Sequence, residues 1–273
     1  MNNIKSAHSL FTWGSRTYVM GIINLSPDSF SGDGLSSITN AVARAIRMVA
    51  DGADIIDIGG VSTRPSATSI PLGEEIDRIV PVIAQLHREL EIPISVDTYE
   101  LEVAQAAVNA GANIINDTRG LKKDARLAAV AAEHGTPIVV TANQRGEQFA
   151  GDIVAEVIRD LSRAVQCCKY AGVVSENIIV DPGIGFGKTA AQNLDIIRRL
   201  KELKTLNCPI LTGPSRKSFI GHVLGLPENE RLEGTAATVA LSIANGADII
   251  RVHDVKEMVR VARLCDAIVR GCS

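Results

Sequence analysis

Eight short apolar runs alternate with longer helix-patterned stretches along the chain, and this alternation constrains the fold more than any single residue does. The runs are YVMGIIN (18–24), DIIDIG (54–59), IPISVD (92–97), NIINDT (113–118), TPIVVTA (136–142), NIIVDP (177–182), CPILTG (208–213) and ADIIRVH (247–253). Each is nearly continuous in apolar character and rich in β-branched residues, as strands covered on both faces are. Between them Ile38, Val42, Ile46 and Val49 form one stripe. Ile76, Ile79, Val80, Ile83, Leu86 and Leu90 form a second, and Ile153, Val157, Leu161, Val165 and Cys168 a third. Their i, i+3/i+4 spacing is that of helices with one buried face. GADII (52–56), GANII (111–115) and GADII (246–250) recur where helical stretches give way to strands, with Gly suited to a left-handed helix end. A βα unit of about 32 residues places these echoes at strands two, four and eight. The pattern predicts an α/β chain folded as one (β/α)8 TIM barrel over 1–273, with 1–17 an N-terminal extension leading into strand one. An open doubly wound sheet is the competing fold. It calls for G-x-G-x-x-G after the first strand, where the chain reads MGIINLSPDSF.

Composition narrows the function classes. A net charge of −3 gives no basic footprint for nucleic acid, and aromatics at 3% offer no base-stacking platform. Cys167, Cys168, Cys208, Cys265 and Cys272 are scattered without a C-x-x-C pair, which points to reduced cytosolic thiols and not to a disulfide frame or zinc site. The start, MNNIKSAHSLFTWG, lacks the signature of a signal peptide, and no apolar stretch reaches membrane-spanning length. The expectation is a cytoplasmic enzyme with small-molecule substrates and neither nucleic acid nor membrane as partner.

In a barrel the chemistry sits at the C-terminal ends of the strands. Those ends carry Asn24, Asp57, Asp97, Asn116 with Asp117, Thr141, Asp181, and Arg251 with His253; SRK (Ser215 to Lys217) follows strand seven. A single polar residue at such a place is as often a solvent contact or helix cap as a functional group. Convergence of so many on one mouth favours function. Asp57, two residues before Gly59–Gly60, is the one we expect to be structural, orienting the second loop. Asp97, Asn116 and Asp181 suit a flat polar heterocycle, since a carboxylate accepts a paired N–H edge such as that of an aminopyrimidine. Lys217, Arg251, His253 and Arg64 suit phosphate oxygens. Arg251 and His253 share one side of strand eight, and inside the rim Arg251 requires an anionic partner. The loops SPDSFSGDG (26–34) and GGVSTRPSATSIP (59–71) are long, rich in Gly, Ser and Pro, and lie on the same face.

VDPGIGFGKT (180–189) looks like a phosphate-binding loop and is not one. For G-x-x-x-x-G-K-[ST] the first glycine would fall at Pro182; for G-x-G-x-x-G from Gly183 the last would fall at Lys188. The functional group there is Asp181, the glycines let the backbone turn, and Lys188 and Thr189 are expected to start the next helix.

Taken together, GIINLSPDSFSGDG, GADIIDIGGVSTRP, ISVDTYELEVA, GANIINDTRG, IIVDPGIGFGKT, LTGPSRKSFIG and GADIIRVHDV resemble the dihydropteroate synthase family from about Tyr18 to Ile268, with the motifs in the same order. The resemblance implies a barrel, a homodimer, and a Mg2+-assisted condensation of 6-hydroxymethyl-7,8-dihydropterin diphosphate with 4-aminobenzoate. It implies that Asp97, Asn116, Asp181, Lys217 and Phe186 hold the pterin, and that Asn24, Thr63, Arg64, Arg251 and His253 hold the diphosphate, with Asn24 nearest the metal. Phe30, Arg64, Pro65 and Ser218 match positions around 4-aminobenzoate, the compound that sulfonamide drugs imitate. The catalytic set that the resemblance implies is Asp97, Asp181, Lys217, Arg251 and His253, expected to act through charge on a cationic pterin and a departing anion.

Three residues depart from the family pattern: Val61 stands where Glu is common before S-T-R-P, and Thr141 and Ala142 replace a Met-His pair, with Thr141 offering less apolar area to the pterin face. Loop one reads S-G-D-G in place of S-D-G-G, which moves Asp33 by one position. Two alternatives stay open: a divergent pterin-binding barrel with weak or altered activity, and a methyltetrahydrofolate-handling pterin-barrel methyltransferase.

Overall fold

A computed structural model describes residues 11–25, 38–61, 70–146 and 151–271. The eight predicted runs form β1 (Tyr18–Asn24), β2 (Ile55–Gly59), β3 (Ile94–Asp97), β4 (Ile114–Asp117), β5 (Ile138–Thr141), β6 (Ile178–Asp181), β7 (Leu211–Thr212) and β8 (Ile249–Val252). They pair in parallel in the order β6-β5-β4-β3-β2-β1-β8-β7, and a bridge between Val180 and Ile210 joins the two ends of that list. The result is the (β/α)8 barrel the alternation predicts.

Helices α1 (Ile38–Ala50), α2 (Leu72–Glu89), α3 (Leu101–Asn109), α4 (Leu127–His134), α5 (Ile153–Tyr170) and α6 (Ala190–Arg198) lie between successive strands. Two helices, α7 (Ser218–Leu224) and α8 (Leu232–Ala244), fill the β7–β8 connection, and α9 (Val255–Val269) follows β8. The second and third helical stripes face inward, with Ile79, Ile83, Leu86, Val157, Leu161, Val165 and Cys168 buried. The first does not hold as predicted: Ile38 and Ile46 are exposed, and α1 buries Ala41, Val42, Ala45 and Met48, a face rotated from the expected one.

Strand alternation divides the interior in two. Ile56, Ile58, Val96, Ile115, Val140, Val180 and Ile250 point outward and pack under the helices. Tyr18, Met20, Ile55, Ile114, Val139, Ile179, Leu211 and Ile249 point inward and fill the lumen as a separate cluster. The barrel is therefore a packed core open only at its rim. Within the expected extension, Phe11 is buried in the lumen cluster, with its ring 4.8 Å from Tyr18 and 4.7 Å from Trp13, and so anchors the segment to the base of the barrel.

The echo glycines Gly52, Gly111 and Gly246 have φ of +103°, +113° and +99°. The third residue of each echo has a further role. Asp54 accepts from the Val19 amide (2.8 Å), Asn113 from the Ile94 amide (3.0 Å) and Asp248 from the Ile210 amide (2.9 Å). In each case a polar side chain entering one strand holds the backbone of the strand before it.

Candidate active site

The inward phase that places Ile55, Ile114, Ile179 and Ile249 in the lumen continues two residues further along each strand. It delivers Asp57, Asn116, Asp181 and Arg251 to the mouth, with Asp97 on β3 and Thr141 on β5 in the same ring. Asn24 ends β1 at the rim, half-buried.

Arg251 lies at the centre of the ring. Its Nε donates to Asp57 Oδ2 and its Nη2 to Asp97 Oδ2, each at 2.6 Å. Asn116 Nδ2 lies 3.3 and 3.4 Å from the two Asp57 oxygens. Burial works against the Arg251 charge, but Asp57 and Asp97 outweigh it and hold the guanidinium protonated. The anionic partner expected for Arg251 is thus two carboxylates. Asp57 corrects the expectation of a loop-orienting residue: it is fully buried and its contacts are Arg251 and Asn116. Its inward phase with Ile55 is the signal that reveals this, and the neighbouring Gly59–Gly60 draws attention away from it.

Burial pushes the Asp97 carboxyl up to about 7, against the pull of Arg251, with Asp57 and Glu75 adding to the rise. Asp181 is also raised by burial, opposed by the Gly183 amide, which donates to its Oδ1 at 2.7 Å, and by Lys217. Lys217 is lowered to about 8 by desolvation and by Arg251, while Asp181 and Asp97 favour its charge. Asp57, Asp97 and Asp181 thus face Arg251 and Lys217 across the mouth.

Backbone geometry aims the remaining groups. Arg216 adopts φ +57°, its guanidinium held by Asp254 and its carbonyl by Arg231. The turn sends Ser215 toward β8, where its Oγ lies 3.0 Å from His253 Nδ1, and Lys217 toward Phe186, where its Nζ is 4.5 Å from the ring centroid. Arg145 stands 4.7 Å from the same centroid. Gly185, at φ +81°, makes room for this arrangement, since a Cβ there would come within 2.9 Å of Lys217 Cδ. Ser218 is the first residue of α7 and is exposed. Phe30, Thr63, Arg64 and Pro65 lie outside the described residues, as does Asp33. Lys188 does not begin a helix. Thr189 caps α6 through a capping box with Gln192, while Lys188 reaches back to three loop carbonyls. The sequence offers no reading of Arg145 and assigns Lys188 to a helix start, because their partners are a ring and carbonyls that the chain brings together only on folding.

The family described as pterin binding enzyme matches residues 20–253. The chain is 48% identical over 270 residues to a dihydropteroate synthase of Synechocystis, covering 96% of this chain and 93% of that one. It is 49% identical over 266 residues to a dihydropteroate synthase of Bacillus subtilis, covering 97% and 93%. The chain belongs to the dihydropteroate synthase family. Solved structures agree: a Clostridium difficile dihydropteroate synthase, crystallised in the presence of pteroic acid, superposes with a TM-score of 0.91 at 46% identity over 95% of this chain and 99% of that one. A Yersinia pestis dihydropteroate synthase in a sulfonamide drug complex gives 0.90 at 36% identity over 96% and 99%. Within the dihydropteroate synthase pattern, the departures at strand five now have a place. Thr141 is inward and buried with its hydroxyl unpartnered, and Ala142 is buried with its carbonyl accepting from Lys188. Val61 is half-buried beside Gly60, whose carbonyl accepts from Arg78 at 3.3 Å.

Proposed function

We infer that this chain is a transferase that condenses 6-hydroxymethyl-7,8-dihydropterin diphosphate with 4-aminobenzoate to give 7,8-dihydropteroate and diphosphate, a step of folate biosynthesis. The observation that carries the reading is the ring of Asp97, Asn116 and Asp181 with Lys217 at the mouth of a pterin-family barrel. The carboxylates and amide accept and donate along the pterin edge, and Lys217 covers it from the Phe186 side. The C–O bond to diphosphate breaks with its electron pair leaving on oxygen, and the amine nitrogen forms the new C–N bond and sheds a proton. The Asp97 and Asp181 carboxylates, in their charged forms beside the pterin, favour the cation that develops on it as the bond breaks. No nucleophilic side chain is required.

Arg251 is committed to Asp57 and Asp97, so it offers the diphosphate one edge of an already paired guanidinium. The leaving group needs further positive charge, for which His253, Arg64 and a metal ion are our candidates, with Thr63 assigned to the same group. A side-chain carbon at Gly59 would sit 3.4 Å from Asn24 Oδ1, so glycine there keeps the approach to that oxygen clear at the rim. Hard oxygens in small number suit Mg2+, which takes one or two protein oxygens and fills its shell with water and substrate phosphate. We assign Asn24 as its protein ligand; the ion would neutralise charge on the departing diphosphate. Phe30, Arg64, Pro65 and Ser218 are assigned to 4-aminobenzoate, the side that the sulfonamides of the family would share.

We also propose a homodimer through the neighbouring helices α8 and α9, where Leu241, Leu264 and Ile268 are 55%, 65% and 74% exposed. Among the described residues no helix is long and apolar enough to cross a membrane. With the scattered free thiols, this supports a cytoplasmic setting. The test of the function is a diphosphate-release assay with Mg2+ and both substrates. Release should depend on 4-aminobenzoate. Tight pterin binding with no release on adding the amine would refute the reading.

A further inference from the structure

We propose that Lys188 is a positioning residue for the pterin pocket, its ammonium locking the loop after β6 onto the loop after β5 and so setting both the Asp181 carboxylate and the Phe186 ring. The proposal rests on the pterin reading above. Lys188 Nζ donates to Ala142 O at 2.8 Å, to Gly183 O at 2.9 Å and to Phe186 O at 3.3 Å. An ammonium has three protons, and three carbonyls take them. One of those carbonyls belongs to the β5 loop and two to the β6 loop, so a single side chain spans the joint.

The consequences run to the two groups that face the substrate. The Gly183 carbonyl is held by Lys188, and the Gly183 amide donates to Asp181 Oδ1 at 2.7 Å, so fixing Gly183 fixes the carboxylate. The Phe186 carbonyl is held by Lys188 and also accepts from the Gln144 amide at 3.3 Å, while the Phe186 amide donates to Gly183 O at 3.0 Å. The ring this backbone carries is the one beside Lys217 and Arg145. The loops touch closely enough that a Cβ at Gly183 would lie 2.0 Å from Ala142 O. Without the ammonium, Ala142 O would lose its Lys188 donor and still converge on Gly183 O and Phe186 O, which would keep only the Phe186 and Gln144 amides, a repulsive arrangement. Burial lowers the Lys188 pKa, Asp181 and Asp160 raise it, and Lys122 and Lys217 lower it further, so the lock weakens toward alkaline pH. Lys188 is spent entirely on backbone and touches neither the lumen carboxylates nor the reacting atoms, which separates positioning from catalysis.

The test compares Lys188→Met, which keeps the chain length and removes the donors, with the wild-type protein. Calorimetry with the pterin diphosphate alone should show Kd raised about ten-fold or more, as expected when three convergent carbonyls lose the cation between them and the site loses its preset geometry. The KM for 4-aminobenzoate at saturating pterin should stay within about two-fold, since its assigned residues lie on other loops. A folded variant with unchanged pterin Kd overturns the proposal, and so does an equal loss for both substrates. Should the variant fail to fold, the wild-type protein decides. Amide-exchange protection at Gln144 and Phe186 should fall as pH rises from about 6 to 9.5 while the β5 amides keep theirs; constant protection at Gln144 and Phe186 overturns the proposal. Failure of the wild-type protein to bind pterin at all would instead count against the function, and the first titration shows which of the two has failed.

Discussion

Asp97 and Lys217 have pKa values displaced toward each other. Burial raises Asp97 from 3.8 to about 7, and desolvation lowers Lys217 from 10.5 to about 8. Pterin recognition uses the carboxylate of the first and the ammonium of the second, so both are in their working forms only between those values. The kcat/KM for the pterin substrate should therefore rise as pH passes about 7 and fall as it passes about 8, with the weakening Lys188 lock adding to the alkaline fall, and Asp97→Asn should lose the acid limb along with most of the affinity. A flat profile from pH 6 to 9 would contradict the pairing of roles. The same shifts act on folding in the opposite sense. Asp97 holds its proton in the folded state more tightly than in the unfolded one, so its stabilising contribution is complete below its ordinary value and is lost as pH rises through about 7. Lys217 holds its proton less tightly, so its contribution is present above its ordinary value and is lost as pH falls through about 8. The two together favour the fold least in the window where the site is ready to bind. The residues of this site that were legible in the sequence are those governed by strand period. Asn116, Asp181 and Arg251 continue an inward phase that inward isoleucines already define, and Asp97 continues it from Ser95, opposite to the outward Ile94 and Val96. Asp57 lies in the same phase and was misread from its glycine neighbours. Lys188 had no local signal, because its acceptors include a residue 46 positions away.

At the scale of the element, the strands were legible to within a few residues because a buried parallel strand has almost no freedom of composition. The connections were less so. The β7 run reads as six residues, 208–213, and yields a strand of two, with two helices after it where one was expected. The repeated G-A-[DN]-I-I signature was legible as a helix-to-strand joint, but the purpose of its third residue needed the fold. Asp54, Asn113 and Asp248 each accept from the amide of the preceding strand, so the signature sets strand adjacency at the barrel bottom. Asn113→Ala should cost about 1 kcal/mol of unfolding free energy by stranding the Ile94 amide. Denaturant titration measures that loss, and both KM values should be unaltered, because Asn113 lies at the opposite end of β4 from the mouth. A shift in KM without a loss of stability would show that the residue does something else.

The whole barrel is not equally joined around its circumference. β1 and β2 pair over five registered positions, whereas β6 and β7 share one bridge, Val180 with Ile210. Exchange of amides from Ile210 to Thr212 should therefore be faster than exchange in β1 and β2 under native conditions, and sub-global opening should begin at this seam. Equal protection in the two places would show that the helices outside, and not the strand ladder, set local stability. The bottom of the barrel has a different character. The chain contains a single tryptophan, Trp13, packed against Phe11 and Tyr18 at the end remote from the Asp97–Arg251 mouth. Its emission is thus a built-in optical report on the closed base of the barrel, one that follows melting of the core while remaining blind to what occupies the rim.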